Sequence, residues 1–193
     1  MPAERALIDE FLPDCDFRAA YEISINAPAA MVYKRVLISD FSASWIVRLL
    51  MYLRTGERIL RDQSTDDLRQ RFQGSGFLIL GETPGEEVVI DVAGKFWRPD
   101  GGRVLDLSAG DFVGFSRPGQ AKVAMNFRIR PETPDCNVLS TETRIQCCDL
   151  AAWWKFRLYW ALAGRFSGVI RKAILKQVKA EAEAERVLEE RIA

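Results

Sequence analysis

From Ala151 onward, Phe156, Tyr159, Ala163, Phe166, Ile170, Ile174 and Val178 return at three- and four-residue steps. This is the spacing of one face of an α-helix. A helix over 151–190 would be about 60 Å long at 1.5 Å per residue. A compact chain of 193 residues has a diameter of about 42 Å, so the rest of the fold must be arranged around this one element. Its charged end, KAEAEAERVLEERIA, is expected to project or fray as a solvated extension, with docking of a partner as the sharper alternative. Gly164 and Gly168 lie near the stripe, where they permit a bend or a close backbone approach.

Upstream of this helix the pattern changes to period two. AAYEISINAP alternates Tyr21, Ile23 and Ile25 with Glu22, Ser24 and Asn26, which predicts a half-buried strand. Asn26 and Pro28 then predict a helix start at PAAMVYKRVLISD. SWIVRLLMYLRTG reads as a second short helix, almost wholly apolar apart from Arg48 and Arg54, and 57–76 reads as a charged excursion. Strands are predicted at 76–82, 86–97, 111–119 and 121–131, with 103–108 as a further candidate, separated by Pro-Gly and Gly-Gly turn signals. NVLSTETRIQCCD closes the series, and neighbours this close in sequence imply antiparallel pairing.

Two of these strands define an inner face. Ala121, Val123, Met125, Phe127 and Ile129 share one side of the first, and Leu139, Thr141, Thr143, Ile145 and Cys147 share one side of the second. If the connecting loop holds an odd number of residues or a bulge, both sets face the same way. Phe127 is then expected opposite Leu139, Met125 opposite Thr141 and Val123 opposite Thr143. Glu142 and Arg144 fall on the outer face beside Lys122 and Arg128, as cross-strand charge pairs contributing a few tenths of a kcal/mol each, about the value of exposed pairs. In 86–97 the alternation does not decide between the face of Val88, Ile90, Val92 and Phe96 and that of Val89, Asp91, Ala93, Lys95 and Trp97.

Composition narrows the chemistry. Lys and Arg number 27, as do Asp and Glu, and they are dispersed, so no basic field for nucleic acid is present. There is no histidine, which excludes Ser-His-Asp and Cys-His catalysis. Cys15, Cys136, Cys147 and Cys148 show no CxxC spacing, so reduced, structural thiols are expected and neither a zinc site nor a disulfide framework. No glycine-rich phosphate loop is found; neither metal nor cofactor is expected. The N-terminal residues lack the apolar run of a secretory signal, and no run approaches the roughly 20 apolar residues of a membrane span. A cytoplasmic location is expected.

A strand, two short helices, antiparallel strands and a long C-terminal helix follow one another in the order of the helix-grip fold. With YEISINAPAAMVYKRVLISD, GKFWRP, NFRIRPETPDCNVLSTETRI and FRLYWALAGRFSGVIRKAILKQVKAEAE, the chain resembles the START-like (SRPBCC) superfamily, in what looks like an uncharacterised bacterial branch. The resemblance covers about 17–180. It implies an α+β fold, with a curved antiparallel sheet wrapped around the C-terminal helix and an apolar cavity between them. The chain then divides into a polar leader (1–16), a START-like ligand-binding domain (17–180) and a charged helical extension (181–193). The expected lining is Tyr21, Trp97, Met125, Phe127, Thr141, Thr143, Phe156, Tyr159 and Phe166; the plainer alternative is that these side chains fill a core.

Three functions compete. In the first, an apolar small molecule such as a lipid, polyketide, terpenoid or aromatic metabolite is bound or transported, with Tyr21, Thr141, Thr143 and Tyr159 orienting it. Trp45, Arg48 and Arg54 would then let the second helix rest transiently on a membrane surface. The second is a cofactor-free cyclase/aromatase or dehydratase, with Asp91, Lys95 and Arg98 as first suspects; it requires an inward-facing charged group, which the expected lining lacks. The third is an interaction module acting through 181–193. No oligomeric state is implied.

Overall fold

The computed structural model describes residues 5–39, 78–98 and 107–192, apart from the side chains of residues 162, 165 and 166. The expected second short helix, the excursion at 57–76 and most of the strand proposed at 103–108 lie outside the described residues, as do Trp45, Arg48 and Arg54. A one-turn helix α1 (Ile8–Phe11) leads into β1 (Phe17–Ile25) and α2 (Ala29–Ile38). Next come β2 (Leu78–Thr83), β3 (Glu87–Gly94), a one-turn α3 (Ala109–Phe112), β4 (Ala121–Thr133), β5 (Cys136–Cys147) and α4 (Leu150–Ile192). The strands form one antiparallel sheet in the order β1-β5-β4-β3-β2. No helix among the described residues is long and apolar enough to cross a membrane.

Turn chemistry sets the hairpins. Between β2 and β3, Gly85 adopts φ +83° and Glu86 N–H donates to the Thr83 carbonyl, a conformation that a proline followed by glycine favours. Between β4 and β5 only Pro134 and Asp135 lie outside the strands, and a register shift falls between Pro131 and Thr133. That bulge restores the parity that a two-residue loop alone would reverse, so the inner and outer sets fall as expected. The pairs themselves are two residues away from expectation: Phe127 lies opposite Thr141, Met125 opposite Thr143 and Val123 opposite Ile145. A two-residue slip keeps every side chain on its face, so alternation is blind to it; the turn decides.

The segment 111–119 is not a strand. Ser108 accepts from Asp111 N–H and starts α3, and Phe112 and Phe115 are both buried three residues apart. That spacing belongs to a helical turn rather than a pleat.

Two cores result. On the inner face, Ile25, Val32, Val36, Val88, Ile90, Phe127, Ile129 and Leu139 meet Leu175, Val178 and Ala182 of α4. On the outer face, Ile8 and Leu12 of the leader join Leu107, Phe112 and Phe115 over Leu80, Val89, Ala93 and Ala124. The leader is therefore a structural cover, and Phe11 lies so close to Gly81 that a β-carbon there would stand 2.8 Å from its ring. Glu87 accepts from Leu7 and Ile8 N–H at the start of α1, and Arg144 donates to the Leu12 carbonyl at its end. The outer charges are consequently not a wet ladder: Lys122 and Arg144 are buried, the former bound to the Phe112 and Val113 carbonyls.

α4 begins at Asp149, which accepts from Ala152 N–H as a capping residue does. The helix is continuous through 181 and remains docked beyond it. Glu183 accepts from Asn26 N–H, Glu185 pairs with Lys34 and Arg35, and Arg186 donates to the Asn26 carbonyl. Asn26 thus binds α4 rather than capping α2, whose first turn bonds to the Pro28 carbonyl. Leu188 and Ile192, past these contacts, are exposed.

Candidate functional site

The face of α4 that meets the sheet carries Gly168, Arg171, Leu175, Val178 and Ala182 at alternating three- and four-residue steps, all buried except the half-buried Arg171. Ile170 and Ile174, expected on that face, are only partly buried. Gly168 permits close approach to β1: a β-carbon there would stand 2.5 Å from the Tyr21 hydroxyl oxygen. Gly168→Ala is expected to lower stability by about 1–3 kcal/mol, the usual cost of overpacking, measured by urea unfolding. Adding Tyr21→Phe, which deletes the obstructing oxygen, should recover most of the loss; no recovery would mean that this contact is not the cause.

One turn along from Gly168, Arg171 extends toward the sheet. Its Nε donates to Ser167 Oγ at 3.4 Å and its Nη1 to Thr141 Oγ1 at 3.5 Å, both long for hydrogen bonds. Among the described residues no carboxylate pairs with it. Burial brings the guanidinium down to about 10, the Tyr21 phenol acting in the opposite sense, so it remains a cation at neutral pH. Thr141 and Thr143 are both buried on the same face of β5. Among the described residues the Thr143 hydroxyl has no hydrogen-bond partner, which costs roughly 1–3 kcal/mol for a desolvated polar group.

Each residue expected at the site can now be located. Tyr21 lies on β1 opposite Thr141, with the Lys172 ammonium 5.5 Å from its ring centre. Phe127 and Phe156 are buried, while Met125 and Tyr159 are half-buried. Phe156 stacks 5.5 Å from Trp160 and lies 5.7 Å from Tyr159 and 5.0 Å from Phe17. Trp97 follows β3 in a turn and joins this aromatic group beside Phe96. The Phe166 side chain lies outside the described residues. Tyr21, Met125, Phe127, Thr141 and Thr143 are thus neighbours on the inner face, and Phe156, Tyr159 and Trp97 form a second group at one end of it.

The face of β3 left open by alternation is now assigned. Val88 and Ile90 point inward, whereas Val89 and Ala93 belong to the outer core, and Asp91 lies with them. Asp91 is buried, accepts from Leu78 N–H through Oδ1, and among the described residues has no partner at Oδ2. Its carboxyl is pushed up to about 7 by burial, yet it stands on the far side of the sheet from Arg171 and the threonines. Burial also pushes the Cys15, Cys147 and Cys148 thiols up, Cys147 to about 12, so they are protonated at neutral pH and poor nucleophiles.

The sequence matches no family model and no curated protein. Solved structures similar to the chain include a hypothetical protein from Helicobacter pylori (11% identity, TM-score 0.43, 94% of this chain and 97% of that one). A conserved protein from Geobacillus kaustophilus is 14% identical with TM-score 0.40, covering 84% and 95%. The di-domain ARO/CYC BexL from the BE-7585A biosynthetic pathway is 11% identical with TM-score 0.40; 86% of this chain spans 46% of that one. The order of elements, the single antiparallel sheet and the long helix across its inner face decide the architecture. The chain has the helix-grip fold. In this helix-grip arrangement α4 meets chiefly β1 and β5 among the described residues, and Val92, Val123 and Met125 on the inner face of β3 and β4 are only partly buried.

Proposed function

We propose that the protein binds or carries a hydrophobic small molecule, of the lipid, polyketide, terpenoid or aromatic class, between the inner face of the sheet and α4. The supporting observation is the partial exposure of Val92, Val123 and Met125. These are inward-facing side chains on interior strands, at positions that a filled core would close. Covering such surface contributes about 25 cal/mol per Å², and the hydroxyls of Tyr21, Thr141 and Thr143 supply orientation. Phe156, Tyr159 and Trp97 bound the same space at one end.

Arg171 is the inward charge that a cyclase or dehydratase would need, but it holds its proton throughout the neutral range. It can orient a substrate and cannot accept a proton from one. Asp91, the carboxyl with a suitable pKa, faces the other core. Binding is therefore the better supported reading. In this reading the protein works in the cytoplasm and loads during transient contact with a membrane. Leu150, Trp154 and Leu158 expose an apolar strip at four-residue spacing, and Arg157 lies over the Trp153 and Trp154 rings, a combination suited to headgroups.

The test is titration with the neutral fluorophore N-phenyl-1-naphthylamine. Wild type is expected to give saturable enhancement at one probe per chain, and Met125→Trp, which fills the space, to weaken binding about tenfold or more. Folded wild-type protein without enhancement would overturn the reading.

A further inference from the structure

We propose that Arg171, with Thr141 and Thr143, anchors a single carboxylate, so that the ligand is an apolar acid rather than a neutral hydrocarbon, ester or alcohol. The inference rests on the binding function proposed above and gives that site its polar end. Three observations on the inner face converge on it.

The first is an uncompensated cation. A guanidinium has five N–H donors in a planar fork matched to a carboxylate. Among the described residues the side chain makes only the two long contacts to Ser167 and Thr141. Among the described residues the buried cations Arg144 and Lys122 are matched, to Asp9 and Glu142 and to two carbonyls, as are the half-buried Arg35 to Glu185 and Arg128 to Glu87. Arg171 has no such match, and it lies on the face where a ligand would lie.

The second is the buried, unpartnered hydroxyl of Thr143. It lies two residues along the same face of β5 from Thr141, or about 7 Å away at the usual rise per residue. It stands opposite the half-buried Met125, so a group reaching it would come through the partly open half of the inner face. The third is sign. Lys172, the next residue of α4, lies over the Tyr21 ring, and no carboxylate among the described residues pairs with Arg171. The local field therefore favours one anion.

A chain requiring only stability would do better with an apolar residue at 171, since even a partly buried charge without a counter-charge is costly. A ligand carboxylate would supply two charge-assisted hydrogen bonds to the fork, stronger than those between neutral groups. The single guanidinium suits one negative charge rather than a phosphate dianion.

Displacement of bound N-phenyl-1-naphthylamine by dodecanoic acid and by dodecanol at pH 7.5 tests this in the full chain. Wild type is expected to prefer the acid at least tenfold. Arg171→Met is expected to bring the acid-to-alcohol ratio close to one while leaving the melting temperature equal or higher, which a merely structural arginine would not do. Should Arg171→Met fail to fold, Arg171→Gln, which keeps a donor to Thr141, should show the same collapse of the ratio. Equal affinity for acid and alcohol in wild type, or a preference that survives both substitutions, overturns the anchor and leaves the apolar site standing. Wild type that takes up neither the probe nor either competitor overturns both.

Discussion

Arg144→Ala is expected to cost about 3–5 kcal/mol, the range for removing one partner of a buried ion pair, in urea unfolding followed by circular dichroism. Arg144 pairs with Asp9 and Glu142 and donates to the Leu12 carbonyl. Its substitution therefore deprives the leader of its tie to β5 and leaves the little-exposed Glu142 with Arg18 alone. Burial lowers the affinity of this guanidinium for its proton, and the bonds to Glu142 and Asp9 more than offset that. Arg18→Ala, which removes the exposed partner of the same glutamate, should cost under about 1 kcal/mol. Adding Glu142→Gln to Arg144→Ala should return part of the loss, because the stranded charge disappears. A cost for Arg144→Ala no larger than that for Arg18→Ala would mean that the leader does not cover the sheet in solution.

That cover was the part of the fold least legible in the sequence. α4, β1, α2 and the inner faces of β4 and β5 follow from periodicity because in each an apolar face alternates with a largely polar one. The leader buries Ile8 and Leu12 with Ala6, Leu7 and Phe11 packed beside them, over too short a stretch to make a period. One signal was available in β3, where Val88, Val89 and Ile90 are consecutive. A strand apolar on both faces implies cover on both, and its second cover had to come from somewhere outside the helix-grip core. The strand expected at 111–119 failed for a related reason: Phe112 and Phe115 are three apart, a spacing legible as a turn of helix once Ser108 is recognised as its cap.

At the site, Thr141 and Thr143 were legible because pleat parity alone turns them inward, and their inward position survives the two-residue difference in register. Arg171 was not. Hydropathy favoured Ile170 and Ile174 as the stripe, and a charged residue was assigned to water by default. Leu175, Val178 and Ala182 lie three to four residues apart, and Arg171 carries that progression back to Gly168, seven residues before Leu175. The spacing of small and apolar residues, rather than their hydropathy, carries the signal. Asp91 shows the converse: a charged residue in a strand drew attention as a proton donor, and only the assignment of β3's faces separates it from the inner site.

Asp91→Asn is expected to stabilise the protein by about 2–4 kcal/mol at pH 8, and by little near pH 4. The carboxyl is pushed up to about 7 by burial, against an ordinary value of 3.8, and the single N–H it accepts from Leu78 offsets little of that. Lys122, the buried cation nearby on the outer face, is engaged by the Phe112 and Val113 carbonyls and does not neutralise it. Between about pH 4 and 7 the folded chain holds a proton at Asp91 that the unfolded chain has released, so stability falls as pH rises through that window. Above it the penalty is constant, and at about 1.4 kcal/mol per unit the raised pKa bounds it near 4 kcal/mol. Asparagine reproduces the neutral acid and can keep the acceptor for Leu78 N–H, so the variant lacks this slope. Denaturation of both proteins at pH 4.5 and pH 8 isolates the contribution, since every other titrating group is common to the two. A difference between variant and wild type that stays the same at both pH values would show that Asp91 ionises as an ordinary carboxylate, and hence that the outer core is open to water at that position.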